Sequence, residues 1–310
     1  MSHRQWTRRV DTRSKYQSFL IQYYAGVARD LPTISPFAHE LARLPRTQVP
    51  SPEQLTRAFQ TDPFLAAKLT GASNSVFFAH DHFAVLTVPE ALKRVGRRYA
   101  MNLVREAPPL PLNVGFTDIA PLWAHCMAVA HVATSIAASV PSAPFDPEVT
   151  HLVAMIHDIG YLLQLSYSPN TWEDIATRLE HEECDTDNTP HEIQGEELAR
   201  FWSLPIAAVA AIRSHHEPHS CSDPRARWLS SVIALSEALL RRTLSPAQIA
   251  ADEWPAETLR NDLRLPLELL IQLRKDGLQI LEQCMALPYQ PSTTRFVPRL
   301  KLIRTGGKDE

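Results

Sequence analysis

Only 9 glycines occur in 310 residues, and no stretch alternates apolar and polar side chains over the length a half-buried strand needs. Together these shortages take away hairpin turns and strands, and they leave an all-α chain. Cysteine is nearly as sparse. Cys126, Cys184, Cys221 and Cys284 stand far apart with no CxxC pair, which excludes a zinc ribbon and a small disulfide framework and suits a reducing cytoplasm. Charge of one sign is missing too: the formal net charge is -3, so nothing global draws the chain to nucleic acid. Met1 to Lys15 is polar and Arg-rich without the apolar centre of a signal peptide. The longest mainly apolar run, Met127 to Val140, holds a histidine and is too short to span a bilayer. A soluble, cytoplasmic protein with no membrane contact is expected.

Proline, by contrast, is abundant, with 25 residues, and its placement favours helices. Ser35-Pro36, Ser51-Pro52, Asp62-Pro63, Asp146-Pro147, Thr189-Pro190 and Ser245-Pro246 each set proline behind a capping residue, where its missing N–H would have had no intrahelical partner. Gln54, Glu90 and Gln248 lie three positions after Ser51, Thr87 and Ser245, completing capping boxes. The pattern predicts helices over 13–29, 35–44, 52–60, 63–70 and 89–104. It continues with helices over 121–139, 147–165, 171–183, 190–202, 205–215 and 225–243, and more between 246 and 286. Pro108-Pro109-Leu110-Pro111 cannot continue a helix and marks a subdomain boundary. The expected organisation is a helical extension over 1–34 and a domain over 35–240, split into an N-terminal lobe (35–107) and a second lobe (112–240). C-terminal helices over 241–287 and a loose tail over 288–310 complete it.

The chemistry lies in the histidines. Val149, Leu152, Val153, Ile156 and Gly160 form an apolar helical stripe that carries His157 and Asp158 toward the interior. Upstream, Leu122, His125, Val129, Val132 and Ile136 recur in steps of three and four, which sets His125 inside an apolar stripe where an imidazole needs a partner. His191 stands near the start of its helix, His215 and His216 at the end of theirs, and Glu237 on the next. Imidazoles converging with carboxylates suit one or two divalent transition-metal ions such as iron, manganese or zinc, and Asp158 has two oxygens with which to bridge a pair. A hydrogen-bonded buried cluster would satisfy the same groups without metal. Adjacent helical side chains point about 100° apart, so one member of His157-Asp158, and one of His215-His216, can be a ligand while its neighbour caps or hydrogen-bonds. His3, His39, His80, His82, His131, His151, His181 and His219 read as surface or packing residues.

Two local charge runs offset each other. Between Thr171 and Ala199 ten acidic residues face the single basic Arg178, a solvated face that surrounds His191 and disfavours an anionic nucleotide there. Lys93, Arg94, Arg97, Arg98 and Arg105 form the opposite patch, and Arg94, Arg97 and Arg98 share one helical face. Without stacking aromatics or a recognition-helix motif, this face reads as contact with an acidic protein rather than nucleic acid.

Several motifs then occur in a fixed order: Leu44-Pro45, Thr61-Asp62-Pro63-Phe64-Leu65-Ala66-Ala67-Lys68-Leu69, Asn74-Ser75 and Ala91-Leu92-Lys93-Arg94-Val95-Gly96. Leu122-Trp123-Ala124-His125, His157-Asp158-Ile159-Gly160, Phe201-Trp202-Ser203-Leu204-Pro205 and His215-His216-Glu217-Pro218 follow. In order and type they resemble the HD-related output domain, HDOD, over roughly 38 to 240. This family is a divergent branch of the HD and HD-GYP metal-dependent phosphohydrolases. The resemblance implies a two-lobed all-helical fold and a regulatory role in bacterial signal transduction, with signalling proteins as partners and no established catalysis. HD-GYP enzymes carry Lys directly after the HD-x-Gly stretch, and Tyr161 takes that place here; a phenol lacks the positive charge that would stabilise phosphate. By the resemblance, a terminal metal-binding Asp of that superfamily falls at Ser236-Glu237, where Glu could ligate from one methylene further out, and the Gly-Tyr-Pro segment after the paired histidines is absent. Three functions stay open at this point: a non-catalytic regulatory module, a metal-dependent phosphohydrolase or cyclic-nucleotide phosphodiesterase, and a sensor that binds a small nucleotide without hydrolysing it.

Overall fold

A computed structural model describes residues 35–79, 83–107, 116–161, 164, 191–241, 244, 246–250 and 257–286. The predicted helices over 13–29 and 171–183, the Pro108-to-Pro111 boundary, the acidic residues before His191 and the tail from 288 lie outside these residues. Within them the regular structure is helical, and none of the described residues is in a strand.

Five helices make the N-terminal lobe: α1 (Pro36–Ala42), α2 (Pro52–Gln60), α3 (Pro63–Asn74), α4 (Val88–Val95) and α5 (Arg97–Glu106). Three start as their capping residues dictate. Ser51 Oγ accepts the Gln54 amide at 3.2 Å while Gln54 Oε1 accepts the Ser51 amide at 2.9 Å, a closed capping box. Asp62 Oδ1 accepts the amides of Phe64 and Leu65, and Thr87 Oγ accepts that of Glu90. Ser35 differs: its hydroxyl meets Thr61 Oγ1 at 2.8 Å and its amide donates to Asp62, so it joins α1 to the α2–α3 corner without capping its own helix. The single helix expected over 89–104 is broken at Gly96, whose φ of +82° lies where side-chain-bearing residues are disfavoured.

The second lobe is built on α6 (Phe116–Ser139), a helix that starts earlier than its sequence stripe and runs through Pro121. By length and composition Ala120–Ser139 is a 20-residue window apolar enough to cross a membrane, which the shorter run counted from sequence missed, but 67% of it is buried within the protein. It serves as the core helix. Onto it packs α7 (Pro147–Met155); α8 (His191–Phe201) packs on α9 (Ile206–Ser214), and α9 on α10 (Pro224–Leu240), which is capped by Asp223 and itself packs on α6. The short α11 (Pro246–Ala250) and α12 (Glu257–Leu263) lead to the long α13 (Leu267–Met285), which packs along α6. Leu122, Trp123, Met127, Val129 and Ile136 of α6 are all but inaccessible to water. Burying each such side chain contributes roughly 1.5–3 kcal/mol, which is why α6 orders what surrounds it.

Three contacts fix one lobe on the other. The indole Nε1–H of Trp123 donates to the Thr61 carbonyl at 2.7 Å, and Nε2–H of His151 donates to the Gln60 carbonyl at 3.2 Å. The last carbonyls of α2, which have no partner within the helix, are thus satisfied by α6 and α7. Gly71 of α3 lies so close to the Trp202 backbone that a methyl group would collide with its carbonyl oxygen. Trp123 is two residues before His125, so the same short segment of α6 anchors one lobe and arms the other.

Candidate metal centre

The HD pair does not continue a helix, as its stripe suggested. α7 ends at Met155, and Ile156, His157 and Asp158 form a turn before the chain resumes helical geometry at Ile159. In a turn neither side chain follows the 100° step of a helix, and both point into the same space. From α6, His125 Nε2 reaches His157 Nε2 at 3.3 Å. From α10, Glu237 Oε1 lies 3.2 Å from His157 Nε2 and 3.7 Å from His125 Nε2. On the other side His191, the first residue of α8, meets Nε2 of His215 at 3.2 Å and Nε2 of His216 at 3.0 Å, both just past the end of α9. All seven side chains singled out in the sequence therefore converge, in two groups with ligand atoms mutually within 4.8 Å: His125, His157, Asp158 and Glu237 in one, His191, His215 and His216 in the other.

Asp158 joins the groups. Its Oδ2 lies 3.3 Å from Nε2 of both His125 and His157, and its Oδ1 lies 3.3 Å from His191 Nε2 and 3.6 Å from His215 Nε2. None of these approaches is aligned as a hydrogen bond, so both oxygens are buried without a donor. Leaving such a carboxylate unsatisfied costs several kcal/mol. Meanwhile His157 Nδ1–H and His215 Nδ1–H each donate at 2.6 Å to the carbonyl three residues back, of Ala154 and Ile212. These bonds fix each ring's orientation and turn Nε2 toward the cluster, the outer-shell arrangement of metal-ligating histidines; in the metal-free protein His157 Nε2–H donates to Glu237 Oε1 at 3.2 Å. Imidazole nitrogens crowded around a buried carboxylate with no aligned hydrogen bond are what a divalent cation, taking the place of the imidazole protons, would satisfy. The residues present fit one.

Charge follows the same logic. Burial opposes a proton on His157 and His125, but Asp158 and Glu237 outweigh it and raise both above the ordinary imidazole value, His157 well above. Burial likewise opposes the charged carboxylates, and the facing imidazoles overcome it, holding Asp158 and Glu237 well below the usual range. Cations, whether protons or metal, are what this cluster attracts. His216 keeps an exposed edge, and there desolvation and then the nearby His215 push its imidazole down to about 4, leaving it neutral and ligand-ready. Cys126, next to His125, is raised well above its usual range, first by burial and then by Asp158 and Glu237, so it stays a thiol in the metal-free protein, and it belongs to neither ligand group.

Close backbone packing makes the convergence possible. A methyl on Gly160 would strike the His191 carbonyl and approach the Gly195 amide, and a methyl on Gly195 would meet Ile212. The HD segment and α8 thus touch backbone to backbone at Gly160, and at Gly195 α8 closes on the Ile212 side chain of α9. Tyr161 stacks on His191, with ring centroids 3.9 Å and planes 15° apart. Gly195 and the two carbonyl acceptors were not singled out in the sequence; a glycine inside an otherwise regular helix, one turn after His191, was the available signal for the first, and the carbonyls have none. His151, read as ordinary packing, also ties α7 to the N-terminal lobe.

Much of the cationic patch is engaged within the chain. Arg94 donates to the carbonyls of Ser73 and Phe83, Arg97 to Pro50, and Arg105 to Leu44, Pro45 and Gln48. Near His191 the acidic residues are partly paired, Glu192 and Glu196 with Arg213 and Glu196 with Arg200.

A family model described as the HDOD domain matches residues 31–218. Among curated proteins no relative matches. Two solved structures share the fold. The MmoQ response regulator of Methylococcus capsulatus str. Bath is 20% identical, with 76% of this chain and 92% of that one covered at a TM-score of 0.56. A virulence factor of Campylobacter jejuni subsp. jejuni is 13% identical, with 84% of this chain and 96% of that one covered at a TM-score of 0.61.

Proposed function

The chain belongs to the HDOD family, and on that premise we propose that it is a regulatory output module of signal transduction, acting on partner proteins through its helical surfaces and built around a centre for two divalent transition-metal ions. The observation that carries the metal centre is Asp158, whose two buried oxygens face separate histidine groups at 3.3 Å with no aligned hydrogen bond at either. His125, His157 and Glu237 would hold one ion and His191, His215 and His216 the other, with Asp158 between them. Iron, manganese and zinc all suit imidazole with carboxylate.

Tyr161 supports a structural or regulatory use of this centre. Such ions, when bound, supply Lewis acidity toward a phosphoryl oxygen. Phosphoryl transfer also calls on positive charge from the protein to neutralise the transition state, and the position from which HD-GYP enzymes offer a lysine here presents a phenol against His191. A phosphohydrolase or cyclic-nucleotide phosphodiesterase is the second reading, favoured by the completeness of the ligand set; a nucleotide sensor is the third.

Turnover assays with cyclic dinucleotides and nucleotides, on metal-loaded protein, decide among them. The regulatory reading expects no turnover. Hydrolysis that disappears in folded His157→Ala and Asp158→Ala variants overturns it, and calorimetric binding of a nucleotide without turnover shifts the assignment to the sensor.

A further inference from the structure

The C-terminal helix α13 lies beyond the segment that matches the family model, yet it touches both helices that supply the first histidine–carboxylate group. Arg274 of α13 is buried, and its guanidinium donates to the carbonyls of Leu239, Arg241 and Leu244, the last at which α10 and its exit segment lack helical partners. A cation there also complements the negative end of the helix dipole. Glu237 lies two and four residues before the first two of those carbonyls, Leu239 and Arg241, about one helical turn. Three residues further along α13, Gly277 has no side chain, and a methyl in its place would press on Val132 of α6 and Leu240 of α10 at 2.6 and 2.7 Å. Arg274 thus grips the end of α10 while Gly277 lets α13 seat in the angle between α10 and the helix of His125.

The second group is held differently. His191 is placed by the Gly160 and Gly195 contacts, and the end of α9 is tied to the middle of α10 by Ser214 Oγ and Ser230 Oγ at 2.8 Å, two turns before Glu237. α13 packs chiefly on α6, α10 and α11. We propose that Arg274 and Gly277 are positioning residues for one metal position alone, the one formed by His125, His157, Asp158 and Glu237, so that the C-terminal helix sets the occupancy of half of the centre. This rests on the metal-centre reading given above.

The test is titration of the metal-free full chain with Mn²⁺ by calorimetry, on wild type, Arg274→Lys, Arg274→Met and Gly277→Ala, with circular dichroism and thermal melts of the metal-free proteins as the fold control. Lysine keeps the charge but cannot fork across three carbonyls, so Arg274→Lys preserves the fold if Arg274→Met does not, while Gly277→Ala adds one methyl against the side chains of Val132 and Leu240 and not against backbone. The expected result is two binding steps in wild type and, in the variants, one step weakened roughly 10–100-fold, the range for lost outer-shell support, with the other unchanged. His216→Ala removes the step that the variants keep. Two unchanged steps, or two steps weakened alike, overturn the proposal while leaving the metal centre standing. No binding by wild type overturns the metal centre and this inference with it.

Discussion

The phenol ring of Tyr161 lies face to face with the imidazole of His191, 3.9 Å between centroids and 15° between planes. The stack orients the imidazole whose Nε2 meets those of both His215 and His216. Tyr161→Leu removes the stack but keeps an apolar body, and it is expected to weaken metal binding at the His191, His215 and His216 group by roughly tenfold. Tyr161→Phe keeps the ring and is expected to change it little. Mn²⁺ titration of both variants checks the difference.

Two glycines make opposite demands. At Gly160 an added methyl meets backbone, the His191 carbonyl and the Gly195 amide, and backbone cannot rotate aside. Gly160→Ala is expected to cost about 3 kcal/mol, the upper end of overpacking, and to weaken metal binding. Gly96 has open space around it and a φ of +82°, so Gly96→Ala carries only the backbone penalty, about 1 kcal/mol. Urea denaturation midpoints of the two variants measure the contrast, and equal losses would mean that the Gly160 contact is not made.

His151 supplies a pH dependence away from the centre. Burial lowers its pKa below the ordinary 6.5, the Gln60 carbonyl opposes this, and the neighbouring His131 lowers it further. His131 is itself lowered, by burial, against the attraction of Asp276. A group whose folded pKa is depressed in this sense favours the neutral form, so its contribution is complete above pH 6.5 and is lost as pH falls toward the folded value. His125 and His157, raised in the metal-free protein, have the opposite sign: their contribution is complete below 6.5 and is lost as pH rises through their folded values. Subtraction separates them. Between about pH 7 and 5 wild type is expected to lose more stability than His151→Gln, read as the shift in urea midpoint at each pH; identical profiles would contradict a buried neutral His151.

Local signals made the helical class legible, capping residues before prolines and apolar steps of three and four, and the ordered motifs singled out seven side chains, but that these converge appears only in the fold. What the sequence hid depends on contacts between distant segments. Gly96 looked compatible with a continuous helix until its positive φ split α4 from α5. The stripe through Val149 and Ile156 promised a helix carrying His157 and Asp158 a third of a turn apart, and the chain turns there instead, which is how both reach one centre. Arg274 was not singled out in the sequence, where a lone arginine in a helix carries no signal; the meeting of α13 with the end of α10 buries it among carbonyls. Arg94, Arg97 and Arg105 looked like a binding face, and each also donates to carbonyls of its own lobe.

The central claim is that Asp158 spans two metal positions, and elemental analysis of the purified full chain, before and after reconstitution with Fe²⁺, Mn²⁺ or Zn²⁺, tests it most directly. The account predicts two ions per chain in wild type, matching the two ligand groups. It predicts loss at both positions in Asp158→Ala and loss of one in His216→Ala, with helicity retained. A wild-type chain that is folded and holds no stoichiometric transition metal after reconstitution contradicts it.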